Sequence, residues 1–147
     1  MVRPCVFCEW SLEPQQHVII EHDKCAFLQL EEADREGAIL EGAGVLIPKA
    51  HREKVFDLTS EEWSAIYVLL QEVHQYMNER YEPSGYTIGW NNGEAGGQHI
   101  HHAHMHVIPR YQDERLAGQG IRYMFKEGRN ARASENHTRS FPGRKDL

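Results

Sequence analysis

Two short apolar runs rich in strand-forming residues stand near the N-terminus, 17–21 (HVIIE) and 25–30 (CAFLQL), separated by the polar triplet His22-Asp23-Lys24. Such a pair around a turn predicts a β-hairpin. The stretch 33–44 contains Gly37, Gly42 and Gly44 and reads as a loop, after which Val45-Leu46-Ile47 forms a short buried strand stopped by Pro48. The periodicity then changes. Trp63, Ile66, Leu70, Val73 and Met77 recur at helical spacing, and Thr59 with Glu62 three residues later makes a capping box, so a helix runs from Thr59 to about Arg80 with that stripe facing the core. Residues 86–90 predict another strand, 91–97 a glycine-rich loop, and 100–108 a strand ended by Pro109. Four or five strands and one long helix predict an α+β domain, an antiparallel sheet with the helix packed on it.

The chain has 147 residues, 40% of them hydrophobic and 26% charged, enough for one core without a disulfide framework. The net charge of −6 is unevenly spread. From Arg110 onward nine Lys or Arg face five Asp or Glu, whereas residues 1–109 carry seven against seventeen. We therefore expect one folded domain over 1–125 and a basic C-terminal tail over 126–147. So acidic a body repels phosphate backbones and argues against an extended nucleic-acid surface. No apolar run is long enough to span a membrane, and the N-terminus lacks the apolar core of a signal peptide, so a cytoplasmic protein with no membrane partner is expected. Cys25 stands alone, whereas Cys5 and Cys8 form a C-x-x-C that in such a chain reads as metal-binding or redox.

The chemistry concentrates at Gly96-Gly97-Gln98-His99-Ile100-His101-His102-Ala103-His104-Met105-His106-Val107-Ile108-Pro109-Arg110. Five of the ten histidines fall between 99 and 106. On a strand rising about 3.3 Å per residue, His102, His104 and His106 share one face while Ala103, Met105 and Val107 face the core. A row of imidazoles can serve two purposes. It can cage a metal, adjacent members sharing an ion, but the outer two are about 13 Å apart on a flat strand, so all three on one ion would need strong bending. It can instead attack phosphorus with one imidazole while others hold the phosphoryl oxygens. Gly93, Gly96 and Gly97 favour the second use, because their backbone amides can approach an anion closely.

At these residues the chain resembles the histidine triad (HIT) superfamily, whose signature alternates His with apolar residues. His102-Ala103-His104-Met105-His106-Val107-Ile108 fits at every position, with Gly97-Gln98 before it. Val45-Leu46-Ile47-Pro48-Lys49-Ala50-His51 is similar to the family's strand-Pro-Lys-x-His segment, and Asn91-Asn92-Gly93 to its Asn-x-Gly; the likeness spans about residues 5–110.

The resemblance implies a HIT-like fold and a hydrolase or nucleotidyl transferase that cleaves a nucleoside monophosphate from its leaving group. The bond is a phosphoanhydride or phosphoramidate, as in a dinucleoside polyphosphate. His104 is then the nucleophile that carries the nucleotidyl group, His106 contacts the α-phosphate, and Asn91 and Gln98 position it. His99 stands where many members have Ser or Thr, and is expected to assist the leaving group. The zinc-containing subset of the family implies a structural Zn site of Cys5, Cys8, His51 and His102. Two thiolates and two imidazoles make a closed tetrahedral site of that kind. Members of this kind are homodimers acting on purine nucleotides, and their C-terminal segments often finish the active site, a role open to the basic stretch 122–132. Glu31, Glu32 and Asp34 are all available to a ribose. A zinc-stabilised nucleotide-binding adaptor is the alternative of another class, which the full triad disfavours. His101 receives no role, and His17, His22, His74 and His137 show no partner pattern; Glu61 and Glu62 complement the helix end rather than form a catalytic pair.

Overall fold

A computed structural model describes residues 4–133. The chain divides into two compact units, Met1–Ala117 and Gly118–Leu147. Within the second, the described residues form a short helix α2 (Tyr123–Lys126) followed by a 3-10 turn at Gly128–Asn130. His137 and the rest of the basic tail beyond residue 133 lie outside the described residues.

The first unit holds a five-stranded antiparallel sheet and one long helix, as the pattern predicts. The strands are β1 (Gln16–Glu21), β2 (Cys25–Leu30), β3 (Gly44–Pro48), β4 (Gly85–Trp90) and β5 (Met105–Arg110), in the order β1-β2-β3-β5-β4. Helix α1 (Ser60–Tyr81) lies between β3 and β4 in sequence. Thr59 caps it: its side chain accepts from the Glu62 amide at 3.1 Å, and the Glu62 carboxylate accepts from the Thr59 amide at 2.8 Å. No helix among the described residues is long and apolar enough to cross a membrane.

The two faces of the sheet carry different cargo. Cys25, Phe27, Leu46, Met105 and Val107 pack with Ile66, Leu69, Val73 and Met77 of α1. Strand alternation sends Ala26, Leu28 and Ile47 to the opposite face, where Phe7 and its neighbours in the N-terminal segment cover them. The entry of β3 has no room for a side chain: a Cβ at Gly44 would lie 2.5 Å from the Phe27 ring and 2.6 Å from the Leu28 carbonyl.

Four expectations are corrected. Trp63 does not belong to the buried stripe: it is 46% exposed and packs at a tilt against Trp90, ring centroids 5.6 Å apart, while Leu69 takes the core position. The stripe slips because a 22-residue helix turns 100° per residue, so a face read at spacings of three and four drifts around it. The last strand starts at Met105, not at residue 100, and runs one residue past Pro109 to Arg110, whereas β3 does end at Pro48 as expected. Pro48 pairs with Cys25, and Pro109 pairs with Tyr86 beyond the point where β3 leaves β5, where a missing N–H on that side costs little. His22 does have a partner, Glu72 on α1, at 2.5 Å.

Candidate functional site

The irregular segment 98–104 feeds β5 and divides the histidine row between two tasks. His102 is fully buried and turns toward the N-terminal segment. Its Nδ1 lies 3.5 Å from Sγ of both Cys5 and Cys8 and 3.2 Å from His51 Nδ1, and Cys8 Sγ lies 3.1 Å from His51 Nδ1. Donor atoms of all four residues fall within 4.8 Å of one another, a cluster able to hold a metal ion. A tetrahedral ion with bonds of about 2.0–2.3 Å has edges of about 3.3–3.8 Å, close to these separations. The orientation of the His102 ring also suits a ligand. Nε2 lies 2.7 Å from the Pro48 carbonyl, which can only accept, so the proton sits there and Nδ1 offers its lone pair to the cluster. Partial desolvation, and then the adjacent Cys5 thiol, push Cys8 up to about 11; a bound cation reverses that by favouring thiolate.

His104 and His106 face elsewhere. Both line a cavity of about 1040 Å³ on the sheet face away from α1, with Phe7, Leu28, Val45 and Ile108 among its apolar walls. His106 sits in mid-sheet, paired with Val45 on one side and Gly89 on the other, so its backbone is held from both directions. The His104 ring is 4.9 Å from that of His106 and 5.1 Å from Phe7, centroid to centroid. Its Nδ1 donates to the His102 carbonyl at 2.8 Å, which leaves Nε2 unprotonated. Burial lowers the pKa of His104 against the opposing pull of that carbonyl, and burial followed by the His104 charge lowers that of His106. At neutral pH the site therefore presents two uncharged imidazoles to a largely apolar cavity.

The remaining predicted residues are placed differently. Gln98 is buried, and its amide donates to the Glu53 and Ile100 carbonyls and accepts from the Gly93 amide, so both of its donors are engaged in holding the loop. The glycine loop does not offer the expected anion cradle. The amides of Gly93, Gly96, Gly97 and Gln98 all have partners within it. Gly97 adopts φ 95° with the Asn91 amide about 3.4 Å from where a Cβ would stand, so Asn91 packs on the loop backbone. Neither Asn91, Gln98 nor the exposed His99 lines the cavity. Of the three carboxylates, Glu32 lines it, whereas Asp34 accepts from Arg80 at 2.7 Å and from the Tyr81 hydroxyl at 2.8 Å.

The sequence reading missed Phe7, which is 5% exposed and meets His102 edgewise at 5.7 Å and His104 at a tilt. Its signal was present: a large aromatic residue inside a C-x-x-C has to be buried somewhere, and the cysteines' own partners say where.

The family model for the HIT domain matches residues 11–113 of the chain. The chain belongs to the HIT family. Its fold is also that of HIT proteins of known structure: the Zn-bound histidine triad family protein of Mycobacterium smegmatis superimposes with a TM-score of 0.63 at 25% identity, over 79% of this chain and 81% of that one. Among HIT relatives, the protein named hit of Bacillus subtilis is 31% identical over 109 residues, 73% of this chain and 71% of its own length. The bis(5'-adenosyl)-triphosphatase of Dictyostelium discoideum is 32% identical over 72 residues, about half of each chain.

Proposed function

We propose that this HIT protein is a nucleotide hydrolase or nucleotidyl transferase that cleaves a nucleoside monophosphate from its leaving group through a covalent adduct on His104. The observation that carries the reading is the His104 ring, with Nδ1 tied to a carbonyl and Nε2 unprotonated beside His106 at the cavity wall. Nε2 attacks the α-phosphorus, the bond to the leaving group breaks, and the departing atom takes its electron pair. A cation then forms on the phosphorylated ring, and the hydrogen bond that Nδ1–H donates to the His102 carbonyl strengthens as that proton becomes more acidic. His106, across the 4.9 Å ring contact, holds a phosphoryl oxygen. Water attacks the adduct in the second step and returns Nε2 with its lone pair. Two attacks on a positioned phosphorus replace one by unassisted water. His99 is exposed and outside the cavity lining, and its part is to meet the departing group, while Asn91 packs on the loop that precedes it.

The nucleoside fits the apolar cavity, with Glu32 as the carboxylate available to a ribose hydroxyl. Cys5, Cys8, His51 and His102 hold a structural zinc, which supplies a cross-link between the N-terminal segment and the residue two positions before His104. Two copies pair as a homodimer through the exposed Trp63, Tyr67 and Val68 of α1 and Ile88 of the edge strand β4. The similarity to a bis(5'-adenosyl)-triphosphatase supports the substrate class. The adaptor alternative predicts binding without turnover. A panel of an adenosine phosphoramidate, diadenosine polyphosphates and adenosine phosphosulfate distinguishes the two: turnover of at least one, lost in His104→Gly, supports the enzyme, and tight binding with no turnover of any supports the adaptor.

A further inference from the structure

Between the metal cluster and α1 runs a set of bonds that ends on the His104 ring. Glu62 is only 6% exposed, although it is a carboxylate on the first turn of a surface helix. Closing the capping box takes one of its oxygens. Both oxygens also accept from Arg52 Nε, at 3.0 and 3.2 Å. Arg52 in turn offers its main-chain carbonyl to the Ala103 amide, at 2.6 Å. That amide belongs to the same peptide unit as the His102 carbonyl, which accepts from His104 Nδ1. One peptide group is thus gripped at both ends, by Arg52 on its N–H and by the His104 ring on its C=O.

We infer that Arg52 and Glu62 are positioning residues that hold the His104 ring in its attacking orientation. The inference rests on His104 being the nucleophile. A helix cap alone does not account for the arrangement, because a capping glutamate needs neither burial nor a guanidinium. The bonds from Arg52 to Glu62 instead hold an irregular connection, residues 49–54 between β3 and the next turn, so that it presents a carbonyl at a set place. The side-chain bond to α1 fixes Arg52, and cooperative hydrogen bonding through the 102–103 peptide passes that placement to the imidazole. When the adduct forms and Nδ1–H becomes more acidic, the same bonds tighten together.

The test compares Arg52→Met, which keeps the aliphatic stem, Glu62→Gln, which keeps an acceptor for the Thr59 amide, and the double variant. Arg52→Lys serves as the conservative variant. Full-length protein is given a slow nucleoside phosphoramidate, and kcat, KM, the single-turnover rate of adduct formation, and metal per chain are measured. The expected result is a fall of about tenfold in kcat and in adduct formation for each single variant, with KM within twofold and metal content unchanged. The double variant falls no further than either single one, and Arg52→Lys recovers part of the loss. Wild-type rates in both single variants overturn the inference while leaving the nucleophile assignment standing, provided the adduct still maps to His104. A loss that tracks departure of metal, or that multiplies in the double variant, overturns it as well. Absence of any adduct in the wild type removes both.

Discussion

Replacing Phe7 by alanine separates what the N-terminal segment does for stability from what it does for the site. The phenyl ring is 5% exposed, lies on Ala26, Leu28 and Ile47, and meets the His102 and His104 rings at 5.7 and 5.1 Å. Burying a phenylalanine contributes about 1.5–3 kcal/mol by area, and edgewise aromatic contacts add about 0.5–1.5 kcal/mol. In closed cores Phe→Ala costs about 3–5 kcal/mol, part of which is the void left behind. Here one side of the ring already borders the large cavity, so much of that second contribution is absent. We expect a loss of about 2–3 kcal/mol. For a chain of this length that is a fall in Tm of about 5–10 °C, read by calorimetry on metal-loaded protein. The same variant should form adduct more slowly, since one wall against the His104 ring is gone. A Tm within about 1 °C of wild type, with adduct formation unaltered, would refute the packing of this segment against the sheet and the His102 and His104 rings.

Zinc analysis by atomic emission on protein purified without chelator should find close to one equivalent per chain, and Cys5→Ser or Cys8→Ser should lose it; less than half an equivalent in the wild type contradicts the zinc assignment. The Asp34 carboxylate, which the Arg80 hydrogen bond and then that of Tyr81 hold below its ordinary pKa, should make stability depend on pH. The sign follows from the direction: the contribution is fully present above the unfolded value near 3.9 and is lost as pH falls through the lower folded value. The pair is partly exposed, so the effect is below about 1 kcal/mol, and Asp34→Asn should remove it; an identical acid limb in the variant contradicts it.

Much of the scaffold is legible because its signals are local. Thr59 and Glu62 sit three residues apart and cap the helix as such a pair does anywhere, and the runs 17–21 and 25–30 needed only the turn between them to become a hairpin. What failed depended on neighbours distant in sequence. Pro109 looked like a strand end because nothing in its own vicinity reveals where the adjoining strand leaves off. Gly93, Gly96 and Gly97 looked like an anion cradle because composition cannot disclose that their amides are already bonded inside the loop, that of Gly93 to the Gln98 side chain. The histidine row was read as one face of one strand, whereas residues 98–104 are irregular and send His102 to the thiols and His104 to the cavity. The four members of the metal cluster, separated by up to 97 positions, could be grouped beforehand only through the family likeness. Arg52 carried no signal, since its part in the site is played by a main-chain carbonyl that every residue possesses.

The most direct measurement is the intact mass of the protein quenched during turnover of a slow adenosine phosphoramidate, followed by peptide mapping. The account predicts a species heavier by one adenylyl group, located on His104, short-lived in water and absent from His104→Gly. Turnover without any such species, or the group found on His106 or another side chain, would contradict it.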